Sequence, residues 1–213
     1  MKDVRLFKMR RRPLTRKPVQ LGIAFRTWGG ARKGAGRKPK GPKAGVPHLR
    51  RPPLAARFPV HVTVRMLPHV WNLRSRRSFS VIGQAIYKAA ERFAMRLCEF
   101  SVQGNHIHLV VEAADRAALA RGMKGLGVRL AKGLNRLMNK RSGQVLADRY
   151  HAHVLRTPSE VKRAVAYVLH NYRNPALGRG DALPPAFVDR YSSVSGEHGI
   201  NLPPPQTWLL RQC

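Results

Sequence analysis

Gly104-Asn105 sits between two short β-prone segments, Cys98 to Gln103 and Ile107 to Glu112, and this spacing predicts a tight turn that folds the chain back as a hairpin. A hairpin implies an antiparallel sheet, and the rest of the apolar pattern has to be arranged around it. Upstream, Val60, Val62 and Val64 alternate with His61, Thr63 and Arg65, which predicts a strand with one buried face. Between strand and hairpin, Ile82, Ile86, Ala89, Phe93 and Leu97 recur at three- and four-residue spacing, predicting an amphipathic helix over residues 80–97. After the hairpin, Asp115 is placed to cap a long helix whose stripe is Leu119, Met123, Leu126, Leu130, Leu134 and Leu137. Residues 149–156 read as a further strand, and Thr157-Pro158-Ser159-Glu160 opens a helix over about 158–173.

The order is strand, helix, strand, strand, helix, strand, helix. Its first six elements predict an α+β fold: a ferredoxin-like antiparallel sheet with helices on one face. The seventh, a C-terminal helix, is an addition to that plan. Three segments follow: a basic arm over 1–58, a domain over 59–175, and a Pro/Gly-rich tail over 176–213 in which Trp208-Leu209-Leu210 is expected to dock back.

Charge narrows the partner. The chain carries 41 Lys and Arg against 10 acidic residues, a formal net charge of +31, and 43% hydrophobic residues is enough for one core. A soluble chain with that imbalance points to a polyanion, and nucleic acid is the leading candidate. Residues 1–58 hold 18 of the cations and one acid, Asp3. Within them, the Gly-rich run around Arg32, Lys33, Arg37, Lys38 and Lys40 has no apolar period and is expected to be flexible and to contact DNA. Its Gly-Arg-Lys-Pro resembles an AT-hook, while a solvated basic tail reads the same composition more plainly. Two cysteines, Cys98 and Cys213, make no disulfide framework, and no apolar run reaches the length of a membrane span. The expected location is the cytoplasm, in association with the nucleoid.

His106-Ile107-His108 is the sharpest candidate for chemistry. Side chains two apart on a strand share a face, so both imidazoles can turn to one divalent cation while Ile107 faces the other way. His151-Ala152-His153 competes for the role, but it lies among Arg149, Tyr150 and Arg156 and reads better as a DNA-facing or structural strand. On the last helix, Val161, Val165, Val168 and Tyr172 form the apolar stripe, leaving Tyr167, His170 and Asn171 off it, with Tyr167 and Asn171 one turn apart. A phenol becomes a useful nucleophile only where positive charge stabilises its phenolate or the transition state. Tyr167 attacking a phosphodiester beside a cation held by His106 and His108, with Asn171 as a third oxygen ligand, meets that condition.

Together these residues resemble the HUH single-tyrosine transposases, and within them the REP-associated tyrosine transposase branch. The pieces are His61-Val62-Thr63-Val64-Arg65, His106-Ile107-His108, Tyr150-His151-Ala152-His153-Val154-Leu155-Arg156, and Val165-Ala166-Tyr167-Val168-Leu169-His170-Asn171, over about Pro59 to Pro175. The resemblance implies a divalent metal, Mg²⁺ or Mn²⁺, on His106 and His108, with Asn171 in the place of a family Gln or Asn ligand. It implies Tyr167 as nucleophile, a 5′-phosphotyrosine intermediate, and single-stranded DNA with hairpin or palindromic repeats as substrate. Arg65, Arg149, His151, His153 and Arg156 are the expected DNA contacts of the domain; whether it works as a monomer or homodimer is open. Two rivals remain: a rolling-circle replication initiator or relaxase, whose usual helicase phosphate loop has no counterpart here, and a nucleic-acid-binding protein without catalysis.

Overall fold

The computed structural model describes residues 51–172, 184, 187–196 and 199–212. Its elements run β1 (Val60–Arg65), α1 (Arg76–Tyr87), β2 (Glu91–Arg92), β3 (Met95–Val102), β4 (His106–Ala113), α2 (Arg116–Leu137), β5 (His151–Val154), α3 (Pro158–His170), a single 3₁₀ turn (Ser193–Ser195) and a short α4 (Trp208–Arg211). The five strands form one sheet in the order β2-β3-β4-β1-β5, with every pair antiparallel. Leaving aside the two-residue β2, this is the ferredoxin-like arrangement. Among the described residues no helix is long and apolar enough to cross a membrane.

Side-chain parity decides what each face of the sheet carries. Val60, Val62 and Val64 of β1, Ile107, Leu109 and Val111 of β4, and Leu97, Phe100 and Val102 of β3 point to one side. There they join Ile82 and Ile86 of α1 and Leu119, Leu126, Leu130 and Leu134 of α2 in the main core. A bulge between Leu97 and Glu99 lets Leu97 and Phe100, three apart, both reach that core. The opposite face carries a smaller cluster: Cys98, Val110, Leu155, the α3 residues Val161, Ala164 and Val168, and Leu209 and Leu210 of α4. So α1 and α2 cover one face as expected, the added helix α3 covers the other, and the C-terminal Leu209-Leu210 docks beside it.

Caps define both long functional helices. Asp115 Oδ1 accepts from Ala118 N at 2.6 Å at the start of α2. At α3, Thr157 Oγ1 accepts from Glu160 N while Glu160 accepts from Thr157 N, and Pro158 occupies the first turn where its missing N–H costs nothing.

One expectation is corrected. The helix read over 80–97 ends at Tyr87, and the following residues form the β2–β3 hairpin through Phe93 and Ala94, at φ 59° and 56°. Ala89 and Leu97 are buried in the core as the periodicity asks, but Leu97 gets there from a strand. Primed turns match the twist of a two-residue hairpin and normally recruit Gly or Asn, so Phe93-Ala94 gives no compositional warning of itself.

Helix α2 packs so closely on β3 that Gly122 has no room for a side chain: a Cβ there would lie 2.4 Å from Met95 Sδ and 2.8 Å from Met95 Cβ. Helix propensity favours Ala over Gly by about 1 kcal/mol, whereas overpacking a core costs about 1–3 kcal/mol. The clash is the larger effect, so Gly122→Ala is expected to lower the urea midpoint of unfolding; an unchanged or raised midpoint would show that Met95 repacks freely.

Candidate active site

The face of the sheet turned to α3 gathers the polar residues that strand parity keeps out of the main core. Cross-strand pairing sets Arg65 opposite His106 and Thr63 opposite His108, and on the other side of β1 sets His61 opposite His153 and Thr63 opposite His151. All seven share this face. The two His-x-His pairs, competitors in sequence, therefore flank a single strand, about 10 Å apart at ordinary strand spacing. Ile107 turns to the main core, as the alternation requires.

Tyr167 reaches the same place from α3. Its ring lies edge-on to His108, centroids 5.2 Å apart at 80°, and to His61 at 5.9 Å and 72°. His106 and His108 are themselves edge-to-face at 4.7 Å, and His61 stacks on His108 at 5.3 Å. Tyr167 is 46% exposed, so the phenol borders solvent while its ring touches the imidazoles. The helix sets this up because Val161, Ala164 and Val168 are buried against β3 and β4, which leaves Tyr167 at the margin of the packed stripe. Asn171, read as off the apolar stripe, is buried at 7% exposure at the C-terminal end of α3.

The imidazoles are held neutral. Burial, then His106 and His61, push the His108 pKa down to about 3. Burial and the Arg65 guanidinium lower His106; burial, then His151 and His153, lower His61. A neutral imidazole keeps a lone pair for a cation, and a positive ion there would disfavour protonation of these rings further.

Two buried polar atoms, His108 Nε2 on β4 and Asn171 Nδ2 at the end of α3, have no hydrogen-bond partner. An amide can be turned to present its oxygen instead, so both orphaned positions suit ligands of a divalent cation. Among the described residues no three His, Cys, Asp or Glu side chains are arranged to hold an ion. Two imidazoles and an amide oxygen are a donor set that tolerates Mn²⁺, Zn²⁺ or Ni²⁺ as readily as Mg²⁺.

The other expected contacts are placed as follows. His151 and His153 are exposed on the edge strand β5, Arg149 is half-buried just before it, and Arg156 is exposed just after it. Arg65 is exposed at the end of β1. Arg32, Lys33, Arg37, Lys38 and Lys40 lie outside the described residues. Sequence reasoning missed His61 and Thr63 as members of the site. Their signal was present: they alternate with Val60, Val62 and Val64, which put them on the face that the main core does not use.

A family model described as transposase IS200-like matches residues 65–171, a segment that includes Arg65, His106, His108, Tyr167 and Asn171. Among solved structures, the chain is similar to a REP-associated tyrosine transposase bound to a REP hairpin, with a TM-score of 0.52 and 13% identity over 75% of this chain and 89% of that one. At that identity the likeness is one of fold. It is also similar to a candidate transposase from Deinococcus radiodurans R1, at a TM-score of 0.39 and 12% identity over 66% of this chain and 99% of the other, too weak to carry an argument. No curated protein matches the sequence.

Proposed function

The chain belongs to the IS200-like transposase family, and from that premise we propose that it is a metal-dependent single-strand DNA nuclease and strand transferase acting through Tyr167. The observation that carries this reading is the packing of the Tyr167 ring against His108 at 5.2 Å, which brings the one exposed phenol of α3 to the imidazole pair.

In this reading His106, His108 and Asn171 would hold Mg²⁺ or Mn²⁺, which would supply Lewis-acid polarisation and charge neutralisation at the scissile phosphate. Tyr167 Oη releases its proton to solvent and attacks phosphorus in line, and the departing O3′ takes a proton up from solvent. The P–Oη bond forms as the P–O3′ bond breaks, leaving a 5′-phosphotyrosine and a free 3′-hydroxyl. Joining is the reverse displacement, with an incoming 3′-hydroxyl expelling the tyrosine. His61 and Arg65 border the reacting phenol and the imidazole pair, and Arg65 with His151, His153, Arg149 and Arg156 forms the track for the strand backbone. The hairpin in the similar transposase supports a folded single strand with palindromic repeats as substrate. The 1–58 arm, including Arg32, Lys33, Arg37, Lys38 and Lys40, grips the stem; the 59–175 domain does the chemistry on cytoplasmic, nucleoid-associated DNA. The family match favours a transposase over a replication initiator.

The test uses labelled hairpin DNA with the full chain in Mn²⁺, Mg²⁺ or EDTA, resolved on a denaturing gel. A species that survives SDS in either metal and vanishes in EDTA is expected. Binding on a native gel without such a species in any condition would leave a DNA-binding module without catalysis.

A further inference from the structure

We propose that Thr63 and His61 of β1 are positioning residues for His108: they occupy its Nδ1 and so leave Nε2 as the nitrogen that donates to a cation. The inference deepens the reading above and rests on it for the presence of an ion. His61 and Thr63 lie before the 65–171 segment that carries the family match.

A neutral imidazole has one N–H and one lone pair. His108 Nδ1 lies 3.2 Å from Thr63 Oγ1 and 3.2 Å from His61 Nε2, whereas its Nε2 is buried with no partner. With the proton on Nε2, a buried N–H would be orphaned. With the proton on Nδ1, the N–H has two acceptors in reach, and the orphan is a lone pair that a cation can fill. An unsatisfied buried donor shifts such an equilibrium by roughly ten- to a hundredfold, so the Nδ1–H tautomer wins.

His106 follows the same rule from a different partner. Its Nδ1 is 2.8 Å from Asn105 Oδ1 in the β3–β4 turn, and an amide oxygen can only accept. Both rings thus direct N–H groups into the protein framework and present Nε2 to the site. Outer oxygens that fix a ligand's tautomer are the usual means by which a histidine site is made ready for metal. Here Thr63 is well suited: on a β-strand its branched side chain has restricted rotamers, and its cross-strand partner is His108 itself.

Two-bond ¹H–¹⁵N correlation NMR on ¹⁵N-histidine-labelled full chain reads the tautomer of His108 with neither metal nor DNA present, the resonance being assigned by its loss in His108→Gln. The wild type is expected as the Nδ1–H form. The double variant Thr63→Val/His61→Phe is expected to move His108 toward Nε2–H and to weaken Mn²⁺ binding, read by calorimetry, roughly ten- to a hundredfold. Thr63→Ser, which restores the oxygen, keeps both readouts near wild type and separates the role of the hydroxyl from that of strand packing. An Nε2–H tautomer in the wild type, or Mn²⁺ affinity unchanged in the double variant, overturns the proposal. Wild-type protein in the Nδ1–H form that binds no Mn²⁺ sinks the metal reading of the site instead, while the tautomer assignment stands.

Discussion

Tyr167→Phe is expected to abolish covalent protein–DNA adducts while changing hairpin affinity less than about twofold. The variant keeps the ring that packs on His108 and His61 and removes only the oxygen proposed to attack. Loss of a nucleophile in an enzyme costs several orders of magnitude, at least about 10⁴-fold, because binding and electrostatics alone supply only the remainder. The neighbouring tyrosines are engaged in other contacts. Tyr150 is half-buried under the Arg51 guanidinium, 3.6 Å from its ring centre, and burial raises its pKa. Tyr172 stacks on Phe187 and lies under Arg74 at 3.8 Å. A quantitative SDS gel with hairpin DNA, paired with a native-gel titration, checks both halves of this expectation; adducts persisting in the variant would assign the attack to another residue.

The largest stability effect is expected at Arg74. Its guanidinium makes two hydrogen bonds to Asp189, at 2.8 and 2.7 Å, donates to Val102 O at 2.9 Å, and stacks on Tyr172 and Tyr191. Asp189, 4% exposed, also accepts from Tyr191 N. One side chain thus ties the loop before α1 to the end of β3, to Tyr172 just beyond α3, and to the segment around residues 187–192. Arg74→Ala would strand a buried carboxylate, a change that costs about 3–5 kcal/mol when one partner of a buried pair is removed. For a domain of this size that is a fall of roughly 10 °C in Tm by calorimetry. The double variant Arg74→Leu/Asp189→Leu should recover part of the loss, because it also removes the carboxylate that the single variant leaves uncompensated. Equal losses in single and double variants would mean that the stacking on Tyr172 and Tyr191, and not the ion pair, holds this junction.

The parts of the fold legible in the sequence were those with strong local signals. The alternation over Val60–Arg65, the Gly104-Asn105 turn, the Asp115 cap with its leucine stripe, and the Thr157/Glu160 box each report on residues a few positions apart, and each element stands where it was expected. The end of α1 was not legible. Ala89, Phe93 and Leu97 continue a helical period, and the chain leaves the helix without a Gly or Pro to mark the exit. What a one-dimensional pattern lacks is register. His106-Ile107-His108 stood out alone, but only the pairing of β1 with both β4 and β5 reveals that His61 and Thr63 sit against His108, and that the second His-x-His faces the same way as the first. Asn171 likewise looked off-stripe because the stripe was drawn through Val165 and Tyr172; the positions buried in α3 are Val161, Ala164 and Val168, and Asn171 continues their three- and four-residue spacing.

Mass spectrometry of the trapped adduct reads most directly whether the phenol beside the two neutral imidazoles is the attacking group. Wild-type protein is incubated with hairpin DNA and Mn²⁺, digested with nuclease and trypsin, and the peptide carrying the residual nucleotide is fragmented. The peptide expected is residues 164–173, which holds both Tyr167 and Tyr172, with the nucleotide 5′-phosphate on Tyr167. A 5′-phosphate located on Tyr172, on Tyr150 or on a histidine, or a nucleotide linked through its 3′ end, would contradict it.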